Sequence, residues 1–320
     1  MSTLLQSIDG YIDNISVTDR QEESIKTSLS NLEGHLKEAD NLHVDSTFTN
    51  GSYERDTNIR PLDDIDLFAV LNKNKWSDEN GELPSPQSVL TRIKNSLNDV
   101  SEYEGKVSQD RPCVTVRLSD KDFDVLPTFP AIGGGYMMPS SNLQSWILTD
   151  PEKLTADLDE VNRKRAYQVK KAIKAVKNWN RDHDKYIPSF HIEEVAINIF
   201  NLNDFKNLEE GIRTWYNQAE TYLVKSSFKS DSDYETAVKK IGKAKEKLND
   251  AHSKYIAGKE DEAKGIWKEV FGKEFPAVDV EEAKNFGRAI TEGALKIGTG
   301  GFLSATEGRA IPASKGYFGR

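Results

Sequence analysis

A single cysteine, Cys113, stands among 320 residues. That excludes an intrachain disulfide framework and a cysteine-rich zinc site, and the cytoplasm is the expected compartment. Long apolar runs are missing as well, so no segment reaches the roughly 20 residues that span a bilayer. The first residues, Met-Ser-Thr-Leu-Leu-Gln, lack the basic segment that precedes a secretory signal core. No membrane partner is expected. Excess positive charge is also absent: 43 Lys and Arg face 52 Asp and Glu, for a net charge of −9. Affinity for polynucleotides comes largely from cations that neutralise phosphates, so strong nucleic-acid binding is not expected. Neither an internal repeat nor a low-complexity block is visible. What is present is a chain with 37% hydrophobic and 30% charged residues, long enough for a substantial core in two lobes.

The stretch from Thr49 to Leu71, TNGSYERDTNIRPLDDIDLFAVL, carries the chemistry. Alternate residues of a strand point to opposite faces. Ile65 and Leu67 therefore enter a core, while Asp64 and Asp66 stand together on the other face. Two adjacent carboxylates repel unless a cation sits between them, and hard oxygen ligands suit Mg²⁺, with Mn²⁺ as an alternative. Gly51 lets the backbone approach a ligand closely, and Ser52 adds a hydroxyl to exposed amides, as phosphate-gripping loops do. Phosphate grip plus metal-binding acids reads as nucleotidyl transfer. A Gly-Ser pair, 11 intervening residues and then Asp-Ile-Asp-Leu resembles the signature of the nucleotidyltransferase superfamily that includes DNA polymerase beta.

Along the chain, residues 3 to 39 read as helix, broken near Val17-Thr18-Asp19, with Ile25, Leu29, Leu32 and Leu36 on one buried stripe. Asn74 to Pro86 is a loop, and Val89, Leu90, Ile93 and Leu97 mark a helix over Ser88 to Asn98. Val114, Val116 and Leu118 alternate as a strand, and Asp122 to Pro127 forms another. Its outward acids are Asp122 and Asp124, and geometry alone admits either as a third metal ligand. Thr128 to Pro139, with three consecutive glycines, reads as a flexible connection. One long helix is expected from Pro151 to about His183, buried along Ala166, Val169, Ile173 and Val176. Lys170, Lys174, Lys177 and Arg181 form an adjacent stripe, expected to be a solvated face. Ser189 is expected to cap a helix over His191 to Phe200. Ala237 to Tyr255 repeats with heptad-like spacing, as in a helical hairpin or one long packed helix. Beyond Ile297 small residues and glycine predict a mobile tail.

Four pieces in this order resemble the cGAS/DncV-like nucleotidyltransferases, the CD-NTases with a SMODS-type catalytic domain. They are Gly51-Ser52 with Asp64-Ile65-Asp66, then Phe123-Asp124-Val125-Leu126-Pro127. Lys177-Asn178-Trp179-Asn180 with Pro188-Ser189-Phe190-His191 follows, and then Trp267, Phe271-Gly272 and Phe275-Pro276. The likeness spans most of Thr49 to Pro276, although Asn201 to Glu260 matches nothing recognisable. It implies an α+β fold: a polymerase-beta-like sheet lobe packed against a helical lobe, with the active site in the cleft between them. The implied division is residues 1–150 for the N-terminal helix and catalytic core, 151–296 for the helical lobe, and 297–320 for the flexible tail.

The resemblance further implies that Asp64, Asp66 and Asp124 are the metal-binding, catalytic triad, which selects Asp124 over Asp122. It assigns donor triphosphate oxygens to Gly51, Ser52, Lys177 and Ser189, a stacked base to Phe190, and a nucleotide contact to Asn50. The implied activity joins NTPs, ATP and/or GTP, with release of pyrophosphate. The product would be a cyclic di- or trinucleotide second messenger, typically in bacterial anti-phage defence. Regulatory or tail-modifying defence proteins are the implied partners. Two other readings compete: a template-independent transferase acting on RNA ends or protein, against which the acidic balance weighs, and a non-catalytic nucleotide-binding scaffold.

Overall fold

A computed structural model describes residues 3–62 and 64–276, together with 296–297, 303–304 and 309–310. Two helices open the chain, α1 (Leu4–Ile15) and α2 (Asp19–Glu38). Thr3 and Thr18 precede them, each with a glutamine three residues on, and each pair closes a reciprocal capping box. The sheet lobe then follows as β1 (Val44–Thr49), α3 (Gly51–Glu54), β2 (Asp64–Leu71), α4 (Lys73–Trp76) and α5 (Pro86–Asn98). It continues through β3 (Val107–Asp110), β4 (Cys113–Arg117), β5 (Asp122–Pro130), β6 (Tyr136–Pro139) and β7 (Trp146–Thr149).

The strands lie in the order β1-β2-β5-β4-β3, with β6 and β7 continuing from β5. β2 and β5 run parallel in the middle, and their register sets Asp64 beside Asp122 and Asp66 beside Asp124. Alternation along β2 sends Ile65, Leu67, Ala69 and Leu71 into a core built with Ile25, Leu32 and Leu36 of α2 and Val89, Leu90, Ile93 and Leu97 of α5. Beyond the acids the opposite face is also covered, where Phe48 stacks on Phe68 and meets Tyr136. The expected flexible connection over Thr128 to Pro139 is instead a paired hairpin. Gly133, Gly134 and Gly135, all at positive φ, turn the chain between β5 and β6. Runs of four residues were too short to show a strand period.

The helical lobe consists of α6 (Pro151–Lys164), α7 (Val169–Asp182), α8 (Ser189–Leu202), α9 (Leu208–Tyr222), α10 (Asp231–Ile256) and α11 (Glu260–Phe271). The single helix expected over 151–183 is two. Ala166 and Tyr167 adopt positive φ between them, and the Asn162 side chain accepts from the Lys170 amide at 3.2 Å, capping the second helix from the end of the first. Ala166 is accordingly exposed, and the buried stripe starts at Val169. Ser189 is not a cap. Pro188 occupies that position, no side chain bonds the first amides, and Ser189 is the first helical residue. The heptad-like segment is the long α10, which packs against α9 and α11.

Hydrophobic residues sort into two clusters, one around the sheet and one among the helices. Although α1 precedes the sheet lobe in sequence, Leu4, Ile8, Tyr11, Ile12 and Ile15 belong to the helical cluster, whereas α2 packs under the sheet. The mobile-tail expectation falls mainly outside the described residues. Those described form three short antiparallel strands, β8 (Lys296–Ile297), β9 (Leu303–Ser304) and β10 (Arg309–Ala310).

Trp267 is fully buried, stacks on Phe271 at 5.0 Å and lies 6.0 Å from Phe275. Tyr11 of α1 meets Phe271 and Phe275 at 5.2 and 5.7 Å, so this aromatic group joins α1 to the end of α11. Trp267→Ala is expected to destabilise the fold by about 3–5 kcal/mol in chemical denaturation. A loss under about 1 kcal/mol would show that the helical core does not depend on it.

Candidate active site

The parallel β2–β5 pair brings three acids together. One carboxylate oxygen from each of Asp64, Asp66 and Asp124 lies within 4.8 Å of the others. Asp64 is exposed and the other two are half-buried. The Thr115 hydroxyl donates to Asp124 Oδ1 at 2.6 Å, fixing that carboxylate from the neighbouring strand β4. Burial first, and then the charges of Asp64 and Asp124, push Asp66 from 3.8 to about 7, with Arg55 acting in the opposite direction. Three acid groups held this close, with hard oxygen donors and mutual repulsion, fit a divalent cation such as Mg²⁺. Asp122 lines the adjacent cleft but is not in the triad.

Gly51 is required by contact as well as by conformation. It has φ +70, and a Cβ there would sit 1.8 Å from Asp66 Oδ2. The Asn50 amide donates to the Asp66 carbonyl at 3.0 Å, which sets the turn directly against the acid strand. Ser52 follows, and its carbonyl accepts from the amides of Thr57 and Asn58 at 2.9 and 3.1 Å, closing the loop after α3.

A cleft between the lobes is lined by Ser52, Thr57 and Asp64 on one side and Lys177, Arg181 and Ser189 on the other. Of the residues proposed from sequence, the fold thus gathers Ser52, Asp64, Lys177 and Ser189 in one space. Asn50, Gly51 and Phe190 are not on its lining. Asn50 directs Oδ1 to Arg55 Nη1 at 3.0 Å, and Phe190 stands half-exposed beside Ser189 rather than in a core. Asp64 also borders a second cleft, with Thr115, Arg117 and Asp124.

The basic stripe on α7 is not a solvated face. Lys174 and Lys177 are buried, and the four side chains pair across lobes and helices. Lys170 meets Asp159 at 2.7 Å and Lys174 meets Asp56 at 2.7 Å. Lys177 meets Glu193 at 2.6 Å, and Arg181 donates to the Pro61 carbonyl at 3.4 Å and to Asn178 Oδ1. Arg55, Thr57 and Glu193 escaped the sequence reading, the last with no exposed surface, as did Asp56 and Asp159. A signal for Glu193 existed. It shares the spacing of Ala196, Ile197 and Phe200 on an otherwise apolar helix face, where a lone carboxylate needs a buried partner.

Comparison with solved structures defines the fold. The Escherichia coli MS115-1 CdnC structure with ATP superposes with a TM-score of 0.68 at 16% identity, over 85% of this chain and 99% of that one. Vibrio cholerae DncV, a cyclic AMP-GMP synthase in complex with nonhydrolyzable GTP, gives 0.66 at 13% identity, over 83% and 93%. The fold is that of CdnC and DncV. Residues 1–162 match the family model of the SMODS domain, the Second Messenger Oligonucleotide or Dinucleotide Synthetase domain, and the chain belongs to that family. It is 27% identical over 269 residues to the Probable cyclic nucleotide synthase IK1_05630 of Bacillus cereus (strain VD146), covering 71% of this chain and 81% of that protein. It is likewise 27% identical over 271 residues to the Cyclic AMP-AMP-AMP synthase of an Acinetobacter species (strain ATCC 27244 / 9458), covering 73% and 74%. The protein is a nucleotidyltransferase. Among the described residues no helix is long and apolar enough to cross a membrane.

An acid whose pKa is raised by folding keeps a proton that the unfolded chain has lost. Stability tied to it is complete below its unfolded value of 3.8 and is lost as pH rises through about 7. In chelator, the wild-type melting temperature should therefore fall between pH 5 and pH 8 by several degrees more than that of Asp66→Asn. Added Mg²⁺ should narrow the gap at pH 8. Identical pH slopes for the two proteins in chelator would show that the acids do not strain one another.

Proposed function

We propose that this nucleotidyltransferase joins NTPs into a cyclic di- or trinucleotide second messenger. One observation carries the reading: Asp64 belongs both to the acid triad and to the cleft that holds Ser52, Lys177 and Ser189. A triphosphate in that cleft would lie with its charged tail against Ser52, Lys177 and Ser189, and with the base toward Phe190. Gly51 would let the phosphate come near the backbone, and Asn50 would hold the turn through Arg55. Asp64, Asp66 and Asp124 would hold Mg²⁺ or Mn²⁺. When bound, such a cation neutralises phosphate charge and lowers the pKa of a hydroxyl.

The acceptor would enter by the second cleft, where Thr115 orients Asp124. Its ribose hydroxyl oxygen would bond to the donor α-phosphorus as the bond to pyrophosphate breaks. Asp124 would help accept the hydroxyl proton. Lys177 would offset charge on the departing phosphates. A second transfer within the linear product closes the ring. The two similar synthases described above support that last step. The same reading places the protein in bacterial anti-phage defence, with a regulatory protein as partner, since a CdnC neighbour has been solved as a CdnC:HORMA-deltaN complex.

Incubation with all four NTPs and Mg²⁺, followed by mass spectrometry, tests the reading. Pyrophosphate and a cyclic oligonucleotide are expected from the wild type, and neither from Asp64→Ala with Asp66→Ala, which should stay folded. Equal turnover by that double variant would remove the triad from the chemistry. Extension of RNA ends without a cyclic product would favour the transferase alternative.

Lys177 and Lys174 sit one turn apart, but only Lys177 lines the interlobe cleft. A charge-assisted contact contributes about 1.5–3 kcal/mol. Lys177→Ala should thus lower kcat/KM for NTP by about one to two orders of magnitude. Lys174→Ala, which removes the contact to Asp56, should have a much smaller effect. The reverse ranking would move the phosphate contact one turn along α7.

A further inference from the structure

Glu193 carries a charge, has no exposed surface and lies one turn into α8 from Ser189. Its two oxygens serve both lobes. Oε2 accepts from Arg55 Nε at 2.6 Å, whereas Oε1 accepts from Lys177 Nζ at 2.6 Å and from the Thr57 hydroxyl. Lys177 Nζ also donates to Thr57 Oγ1 at 2.9 Å, which closes a three-membered ring of contacts. Burial, the largest single influence, acts to raise the Glu193 pKa, but the charges of Lys177 and Arg55 together with the hydrogen bonds from Lys177 and Thr57 keep the carboxyl below its ordinary value. The group is therefore ionised and faces two cations.

Arg55 and Thr57 connect this carboxylate to the phosphate-gripping turn. Arg55 Nη1 reaches Asn50 Oδ1 at 3.0 Å, its amide donates to the Gly51 carbonyl at 3.2 Å, and the Thr57 amide donates to the Ser52 carbonyl at 2.9 Å. Lys177 stands on the opposite wall of the same cleft. Both walls thus take their position from one side chain.

We infer that Glu193 is a positioning residue for nucleotide use: it holds Lys177 at the cleft wall and, through Arg55 and Thr57, sets the Asn50-Gly51-Ser52 turn opposite. The inference rests on the reading of the cleft as the NTP site. A lysine has a long flexible stem, and fixing its ammonium in advance removes an ordering cost from binding. One carboxylate bonded to both Arg55 and Lys177 orders the two cations without being able to neutralise both. If Glu193 served only as a competing counter-ion, its removal would instead strengthen nucleotide binding.

Steady-state kinetics with NTP and Mg²⁺ separate the possibilities. Glu193→Gln should raise KM about tenfold or more while kcat changes less than about threefold, and Glu193→Asp should restore part of the loss. In a Lys177→Ala background, Glu193→Gln should add less to KM than it does alone, because its main client is already gone. A fall in KM, or effects that simply multiply in the double variant, would overturn the inference. Should Glu193→Gln fail to fold, Thr57→Val gives the same test without a change of charge. It should raise KM several-fold with the melting temperature little changed, and Thr57→Ser should reverse it; an unchanged KM overturns the inference. Calorimetry with a nonhydrolysable ATP or GTP analogue separates this inference from the synthase reading. A wild type that binds but makes no product refutes cyclic nucleotide synthesis, while Glu193 is still judged by whether Glu193→Gln weakens that binding.

Discussion

Repulsion among three carboxylates is the constraint on which the rest of this structure depends. Asp64 and Asp66 stand on one strand and Asp124 on its parallel neighbour, so backbone hydrogen bonds hold the charges closer than free side chains would stay. The strain is carried by a core of Ile65, Leu67, Phe123 and Val125 directly behind them, all buried. Hydrophobic burial of that face is strong and non-directional, and it pins the register by which the acids meet. A cation would relieve it, and on the proposed reading substrate phosphates brought to that cation would have their own charge to be balanced.

On that reading the second lobe would meet the need. α7 delivers Lys177 and Arg181, and α8 delivers Ser189, to a cleft that opens on Asp64. Lys170, Lys174 and Lys177 of α7 are anchored by acids from the opposite lobe or a neighbouring helix, so the positive wall is built rather than adventitious. Buried charge pairs are poor sources of net stability, but removing one partner is costly because the other is stranded. The interlobe contacts among Arg55, Thr57, Lys177 and Glu193 are of this kind. They fix how the lobes face one another more than how strongly they adhere.

Similarity at the level of sequence and of fold agrees on the class while leaving particulars to this chain. The family match covers residues 1–162, which includes the acid strands but stops before α7. The cation wall thus rests on the structure of the helical lobe itself. Glu193 lies outside the matched segment, as do Lys177 and Ser189.

By itself the sequence determined the local pattern. Threonine and glutamine at fixed spacing specified the starts of α1 and α2, and period-two alternation placed Asp64 and Asp66 on one face of β2. Such features depend on residues a few positions apart and are written in their order. Short strands were not legible: β6 and β7, four residues each, look irregular until they pair. Nor was the choice between Asp122 and Asp124 available from alternation, since both point outward; the meeting of its carboxylate with those of Asp64 and Asp66 and the bond from Thr115 distinguish Asp124. Ser189 as a cap and the lysines as a solvated face were reasonable local readings that packing reversed. The tertiary structure alone decided where α7 lies, and hence that Lys177 would be buried against a carboxylate 16 residues later and a loop 120 residues earlier. Contacts across such separations leave no periodic trace in the chain, because their strength depends on burial and partner charge, which exist only after the lobes have met.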